Sequence, residues 1–295
     1  MARILDNDLK EKIFAVLAEY PEGIKAPQIA KIIGIDKKIV SSFLAHKQDE
    51  YIMNDNWEWV PAFDPLMVKL NNRANAKRFT SKQFNALANW SVCSAVDGTK
   101  KIGTYRTKTG NKIDYNSSYE PIMLEYLEEH NLVKEMGGQN LCIRYSSAFC
   151  DDKKYYPDIV ALTADNHILI LEVKPVTMMS YHLNMEKYER LSEYCEEHGY
   201  IYAMLDPTEE FMSYEELRDM PVHPELLDLF DELVEESEDH VVSFDKYDVD
   251  DWFDSIEPGC TRKTFYLMVR SLIIYYGWYN KSLYDFEVTS EPFSM

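Results

Sequence analysis

Apolar residues recur at helical spacing near the start of the chain. Leu9, Ile13, Val16 and Leu17 share one face and predict a first helix. Pro21, Gly23 and Pro27 interrupt that pattern before a second helical stretch, Gln28–Ile33. Gly34 ends the stretch, and Asp36 is placed to cap a third helix, Lys37–Lys47. Tyr51–Met53 and Trp57–Val60 then flank Asn54, Asp55 and Asn56, a turn-forming triplet that suits a hairpin. A further helix is expected over Ser81–Asn89, and a hairpin-like segment near Gly103–Gly110.

The clearest β signal lies between Tyr155 and Lys174. Ile159–Thr163 and His167–Lys174 are rich in Ile, Val and Leu on both sides of Ala164, Asp165 and Asn166, which predicts an antiparallel hairpin. If Thr163 and His167 close the loop, Leu162 faces Ile168, Val160 faces Ile170 and Asp158 faces Glu172. Two acids then stand opposite each other on one face, their Cβ atoms roughly 4.5–5.5 Å apart. Lys174, two residues beyond Glu172, projects from the same side. Toward the C-terminus, Pro224–Glu238 reads as a helix with one apolar face, Arg262–Tyr276 as a mostly buried helix and Tyr284–Val288 as a strand.

At 295 residues the chain has room for more than one domain, and 46% hydrophobic with 28% charged residues is ordinary for a globular protein. Apolar runs such as Ile168–Leu171 and Leu272–Tyr276 are too short to span a membrane, and Met1–Lys12 carries charges where a secretory segment needs an apolar stretch. The five cysteines form no C-x-x-C pair. Reduced thiols and a cytoplasmic location, with no membrane partner, are therefore expected. The net charge of −20 argues at first against a nucleic-acid substrate, but its distribution matters more. Between Asp206 and Glu257 stand 20 acidic residues against Arg218 and Lys246, so the rest of the chain is close to neutral. Val68–Lys112 holds ten basic residues and a single acid, Asp97, interleaved with Phe79, Trp90 and Tyr105. That composition suits a segment following a phosphate backbone.

Facing carboxylates repel, and burying them is costly unless a cation or a proton intervenes. A hard divalent ion such as Mg²⁺, with Mn²⁺ able to substitute, resolves the conflict and accepts phosphate oxygens. It can activate water and polarise a phosphodiester, with Lys174 orienting the water or neutralising developing charge. Other chemistries lack their signatures: the seven histidines show no zinc spacing, and neither a nucleophile elbow nor a G-x-x-x-x-G-K-[ST] phosphate loop occurs. His182 lies near the acid pair in sequence and reads as a solvent-facing helix residue, with phosphate contact the alternative; Tyr155 and Tyr156 read as core packing, with guarding the site or starting the strand the alternatives.

Pro157-Asp158, followed by Leu169-Ile170-Leu171-Glu172-Val173-Lys174, resembles the signature of the PD-(D/E)xK nuclease superfamily. The surroundings are similar to the TnsA-like endonucleases of heteromeric transposons and to related restriction-type nucleases, over about residues 115–206. Ser117-Ser118-Tyr119-Glu120 opens a helix, and the resemblance implies that Glu120 completes a metal site with Asp158, Glu172 and the carbonyl of Val173. It also implies a first core strand over Gln139–Tyr145, a helix carrying Asn184, Lys187 and Tyr188, and a strand at Ile201–Leu205. The expected fold is α/β, a restriction-endonuclease-like core of mixed sheet and flanking helices.

The N-terminal order of three helices and a hairpin resembles a winged helix-turn-helix, whose third helix would offer Lys37, Lys38, Ser41 and Ser42 to a DNA groove. In the transposon enzymes such a domain typically follows the nuclease, whereas here it precedes it. Further DNA contacts are expected from Lys77, Arg78, Arg106, Lys108, Gln139 and Lys187. The sequence thus predicts a winged-helix-like domain at 1–62, a basic linker or DNA-contact segment at 63–114, a nuclease core at 115–206 and an acidic, mostly helical region at 207–295. The function implied is Mg²⁺-dependent hydrolysis of DNA, by Glu120, Asp158, Glu172 and Lys174, in a mobile-element or restriction and defence setting. The alternative is a DNA-binding or assembly subunit using the nuclease-like fold as scaffold. A protein partner such as a transposase, an ATPase or another complex subunit is expected through the acidic segment 206–258.

Overall fold

A computed structural model of the protein describes residues 7–20, 23–45, 51–53, 56–61, 64–88, 102–138, 141–147, 150–236 and 241–291. Its contacts divide the chain into two units, residues 1–68 with 130–132, and residues 69–129 with 133–295.

The first unit contains helices α1 (Asn7–Glu19), α2 (Ala26–Ile33) and α3 (Lys37–Ala45), then strands β1 (Tyr51–Met53) and β2 (Trp59–Pro61), paired antiparallel. Pro27 occupies the first turn of α2, where a missing N–H breaks no helical bond. Gly34 closes the same helix at φ +74°, a left-handed conformation that glycine adopts without strain. Ile24, between α1 and α2, exchanges two backbone hydrogen bonds with Trp59 and lengthens the hairpin into a three-segment ribbon. Ile13, Leu17, Ile29, Val40 and Leu44 are buried together beneath it. Lys37, Lys38 and Ser41 stay on the exposed side of α3. The elements follow the order expected from the apolar pattern; the ends of the predicted third helix and of the hairpin turn, Lys47 and Asn54-Asp55, lie outside the described residues.

The second unit opens with an arm that is not a linker. Asn71 bridges to Tyr202, the Lys77 N–H donates to the Gly199 carbonyl at 2.9 Å and the Phe79 N–H donates to the Asn166 carbonyl at 2.7 Å. Helix α4 (Ser81–Ala88) buries Phe84 and Leu87 in the main core. The segment expected over 63–114 as a basic linker or DNA contact is docked on the sheet over this stretch, which bears on the linker alternative alone. Its charges face outward while a few apolar side chains fix it to the sheet.

Next come a hairpin of β3 (Gly103–Arg106) and β4 (Lys112–Tyr115), helix α5 (Tyr119–Glu129) and strand β5 (Val133–Gly137). A second hairpin, β6 (Ile143–Ser147) with β7 (Cys150–Tyr155), precedes β8 (Ile159–Thr163) and β9 (Ile168–Val173). Helices α6 (Val176–Met179) and α7 (His182–His198) lead to β10 (Ile201–Asp206) and the short β11 (Met212–Ser213). The central sheet is mixed and has the order β11-β10-β9-β8-β5, with β9 and β10 parallel and the other neighbours antiparallel. Such a parallel pair needs a crossover, and α6 and α7 provide it.

Gln139–Tyr145 was expected as the first core strand, and this is not what forms. Val133–Gly137 takes that place, while Ile143–Ser147 pairs with β7 outside the central sheet. Lys134, Glu135 and Gly137 make β5 a weak strand by pattern; it forms at a sheet edge, where one side alone must pair.

The C-terminal part carries α8 (Tyr214–Arg218), α9 (Pro224–Glu236), β12 (Ser243–Asp245), α10 (Lys246–Ile256), α11 (Arg262–Tyr276), β13 (Tyr279–Asn280) and β14 (Glu287–Thr289). It is mainly helical, as its pattern predicts, and adds a three-stranded sheet of order β12-β14-β13. Phe230 stacks on Trp278 at 5.4 Å between ring centroids, with Phe244 and Trp252 completing a second core. Buried Arg270 donates to Ser180 Oγ and to the Tyr284 carbonyl, both at 2.9 Å, and so ties α11 to the turn between α6 and α7. Among the described residues no helix is long and apolar enough to cross a membrane.

Phe84 tests whether the 69–88 arm is integral to the second unit. Phe84→Ala should remove about 3 kcal/mol from its unfolding free energy in urea; a loss below about 1 kcal/mol would show that the arm is only loosely attached.

Candidate active site

The site grows from the pairing of β8 with β9. Their ladder sets Ile159 against Leu171, Val160 against Ile170 and Leu162 against Ile168, the register predicted from the loop. Asp158 and Glu172 therefore emerge at the same end of the pair, Asp158 immediately before its strand. All five residues of β8 and all six of β9 are buried, so the apolar flanks enforce the register. A one-residue slip of either strand would turn its acid to the opposite face from the other's.

Lys174 closes the arrangement. Its Nζ lies 2.9 Å from Asp158 Oδ2 and 2.7 Å from Glu172 Oε1, bridging the two carboxylates. The Val173 N–H also donates to Asp158 Oδ2 at 2.9 Å, while the Val173 carbonyl oxygen lies 3.2 Å from the ammonium and accepts from it. Burial works against the charged form of Lys174, yet Asp158 and Glu172 outweigh it and hold the ammonium well above the usual lysine range. Burial, followed by the charge of Asp158, pushes the Glu172 carboxyl up, against the opposing pull of Lys174 and Lys187.

Glu120 arrives from the first turn of α5. Its Oε1 accepts the Asn116 N–H at 3.1 Å, and its own N–H donates to Ser117 Oγ at 3.3 Å. The other oxygen, Oε2, is buried with no hydrogen-bond partner. Glu120 is 2% exposed, like Glu172, and Asp158 is 6% exposed. Burial and then the charge of Asp158 push the Glu120 carboxyl up to about 7. Of the three buried carboxylates, Asp158 and Glu172 thus share one bridging ammonium, and Glu120 feels its charge without contacting it.

By chemistry alone these oxygens are hard donors of the kind a divalent cation takes. The set offers carboxylate oxygens from Glu120, Asp158 and Glu172 and a carbonyl oxygen from Val173, with one carboxylate oxygen still without a partner. Among the described residues no three His, Cys, Asp or Glu side chains already stand in a metal-holding arrangement, and Lys174 fills the space between two of the acids. A bound cation and this position of the ammonium are therefore alternatives.

Tyr155 has a role that its sequence context does not announce. Its hydroxyl donates to Glu172 Oε2 at 2.6 Å, leaving Oε1 to face Lys174. Burial and the neighbouring Glu172 hold the phenol far above its ordinary range, so it remains a donor. A tyrosine shortly before a strand usually signals core packing; its closeness to Pro157-Asp158 was the available clue. Lys187, expected on α7, does reach this region, with its ammonium 5.9 Å from the centre of the Tyr155 ring.

Other expected contacts are dispersed. Arg78 bridges to His167, and the Lys77 stem packs on Gly199, so both lie by the β8–β9 turn. That is the opposite end of the strands from Asp158, roughly 16 Å away for a five-residue strand. Arg106 and Lys108 belong to the β3–β4 hairpin and its turn. Lys37, Lys38 and Ser41 sit in the first unit, and Gln139 lies outside the described residues. His182 is not simply solvent-facing: its Nδ1 lies 3.1 Å from the Asn280 carbonyl. Asn184 is spent structurally, donating to the Met178 carbonyl at 2.9 Å.

No family model and no curated protein matches the chain.

The charge excess has a measurable consequence. Because the Glu120 carboxyl binds its proton more tightly folded than unfolded, its contribution favours the fold at low pH and is lost as pH rises from about 4.5 through about 7. In chelator at pH 8, Glu120→Gln should therefore raise unfolding stability by about 1–3 kcal/mol, with little change at pH 4. Destabilisation at pH 8 by urea titration would contradict this electrostatic description.

Proposed function

We propose that the protein is a metal-dependent endonuclease of the PD-(D/E)xK type that hydrolyses DNA phosphodiesters. The observation carrying this reading is the convergence of Asp158, Glu172 and Lys174 at one end of the β8–β9 pair, with the partnerless Glu120 oxygen beside them. Glu120, Asp158, Glu172 and the Val173 carbonyl would hold Mg²⁺, or Mn²⁺ in its place. A divalent cation held there supplies Lewis acidity toward the phosphodiester and activates water as nucleophile. Tyr155 keeps Glu172 oriented through its short hydrogen bond. Lys174 carries its charge on a flexible stem, so its ammonium can turn from the carboxylates toward a phosphate and neutralise the charge developing there. A restriction-endonuclease-like core is supported by the mixed central sheet with α5 and α7 beside it.

The first unit supports a winged-helix reading: three helices, a hairpin and the Ile24–Trp59 bridge that adds a third extended segment. Its exposed Lys37, Lys38 and Ser41 would then approach a DNA groove. The acidic faces of α9 and α10 suit a basic protein partner, such as a transposase or an ATPase subunit, and a cytoplasmic mobile-element or defence setting accommodates both. A second reading, a DNA-binding assembly subunit with a nuclease-like scaffold, draws on the bridging position of Lys174, which holds the acids without a cation.

Cleavage of supercoiled plasmid separates these readings. The full chain should nick or linearise it with Mg²⁺ or Mn²⁺ and not with chelator. Asp158→Ala should lower the rate at least about 1,000-fold, and Lys174→Ala about 100-fold or more. Metal-dependent cutting that survives both substitutions would sink the assigned site, and an inert wild type would favour the scaffold.

A further inference from the structure

The β3–β4 hairpin places like charges directly against each other. Arg106 pairs with Lys112 in the ladder, next to the turn, and both side chains are exposed. Like charges across a strand pair are destabilising. The neighbouring pair on that face shows the usual solution, with Thr104 Oγ1 donating to Asp114 Oδ1 at 2.8 Å. Among the described residues neither Arg106 nor Lys112 has an ion pair or a side-chain hydrogen bond to offset its neighbour. Two cations are held together there, and Asp114, the one acid of the described hairpin on that face, bonds Thr104 and is ion-paired with neither.

The other face of the hairpin is firmly anchored. Tyr105 Oη donates to Glu128 Oε2 at 2.8 Å, and Lys108 donates its backbone N–H to Glu128 Oε1 and its ammonium to the Glu128 carbonyl, at 2.7 and 2.8 Å. Buried Ile113 packs so closely on Gly138 that a Cβ there would lie 2.9 Å from its Cγ2. Glu128 stands two turns along α5 from Glu120, and the Asn116 N–H just beyond β4 holds Glu120 Oε1. The hairpin and the helix that presents Glu120 are therefore tied together through Glu128 and Asn116. Lys112 stands four positions before Asn116, roughly 13 Å of extended chain, a span of a few phosphates along one strand.

We infer that the Arg106–Lys112 face is a phosphate clamp for the DNA backbone, set at a fixed distance from the metal site. This rests on the nuclease reading and deepens it: the ligand is duplex DNA, contacted through its phosphates without regard to sequence. The unpaired cations are pre-arranged, so binding relieves their mutual repulsion. The carboxylates of α5 lie on the opposite, Tyr105 face, so Arg106 and Lys112 outweigh the single acid Asp114 on the outer face.

The test uses the full chain and a fluorescein-labelled duplex of arbitrary sequence in chelator, with anisotropy followed as salt is raised. Arg106→Gln with Lys112→Gln should weaken binding about tenfold and lower the slope of log K against log salt by about 1.8, near 0.9 for each phosphate no longer neutralised. The melting temperature should stay the same or rise, since a repulsion is removed. Lys77→Gln with Arg78→Gln removes equal charge at the far end of the sheet and should change the slope by less than half as much. Affinity within twofold of wild type and an unchanged slope in the hairpin variant would overturn the clamp. So would equal weakening in both variants, which would report bulk charge alone. A wild type that binds and cuts while the hairpin variant matches it defeats the clamp and leaves the nuclease standing. A wild type that binds DNA but never cuts it with Mg²⁺ or Mn²⁺ defeats the nuclease reading, and the slope still decides the clamp.

Discussion

Repulsion among three buried carboxylates organises this part of the molecule. Asp158 and Glu172 are brought to the same end of two neighbouring strands, and Glu120 is delivered beside them by α5. Such groups cannot all stay ionised out of water without a counter-charge. In the absence of a cation that task falls to Lys174, which bridges Asp158 and Glu172 within hydrogen-bond distance of both. Glu120 has no contact with Lys174, and burial, followed by the charge of Asp158, pushes its carboxyl up to about 7. Glu120 is thus left with the least compensated charge of the three, and on the proposed reading a divalent cation would relieve it.

Packing keeps the conflict in place. The apolar residues of β8 and β9 are buried on both sides of the sheet, so the acids cannot escape by a change of register. Tyr155 removes the rotational freedom of Glu172. Behind the site, Asp206 accepts the Val176 N–H at 2.7 Å and secures the short helix that follows Lys174-Pro175. Arg270 then fixes the turn after that helix from the C-terminal part, so the acid-rich region stabilises the crossover that leads away from Lys174.

Much of this was legible in the chain because hydrophobic periodicity was unambiguous where it mattered. The β8–β9 register followed from two apolar runs and a three-residue turn, and with it the juxtaposition of Asp158, Glu172 and Lys174. The helices with regular apolar stripes, including Arg262–Tyr276, also form where the pattern puts them. Three features escaped for identifiable reasons. Val133–Gly137 carries too many polar residues to announce an edge strand, which left Gln139–Tyr145 as the more apolar alternative. Residues 69–88 looked like a linker because their charges outnumber the few side chains, Phe84 and Leu87, that dock them. The hydroxyl of Tyr155 acts through long-range geometry that no local spacing encodes.

On the proposed reading this carboxylate set holds a divalent cation, and Lys174 yields its place to it. Crystals soaked in Mn²⁺ and probed by anomalous diffraction test that exchange most directly. One strong peak is expected about 2.0–2.3 Å from oxygens of Asp158 and Glu172 and close to Glu120 and the Val173 carbonyl, with the Lys174 ammonium turned away from the acids. No peak there, with Lys174 still bridging Asp158 and Glu172 at Mn²⁺ levels well above those that support nucleases, would contradict it.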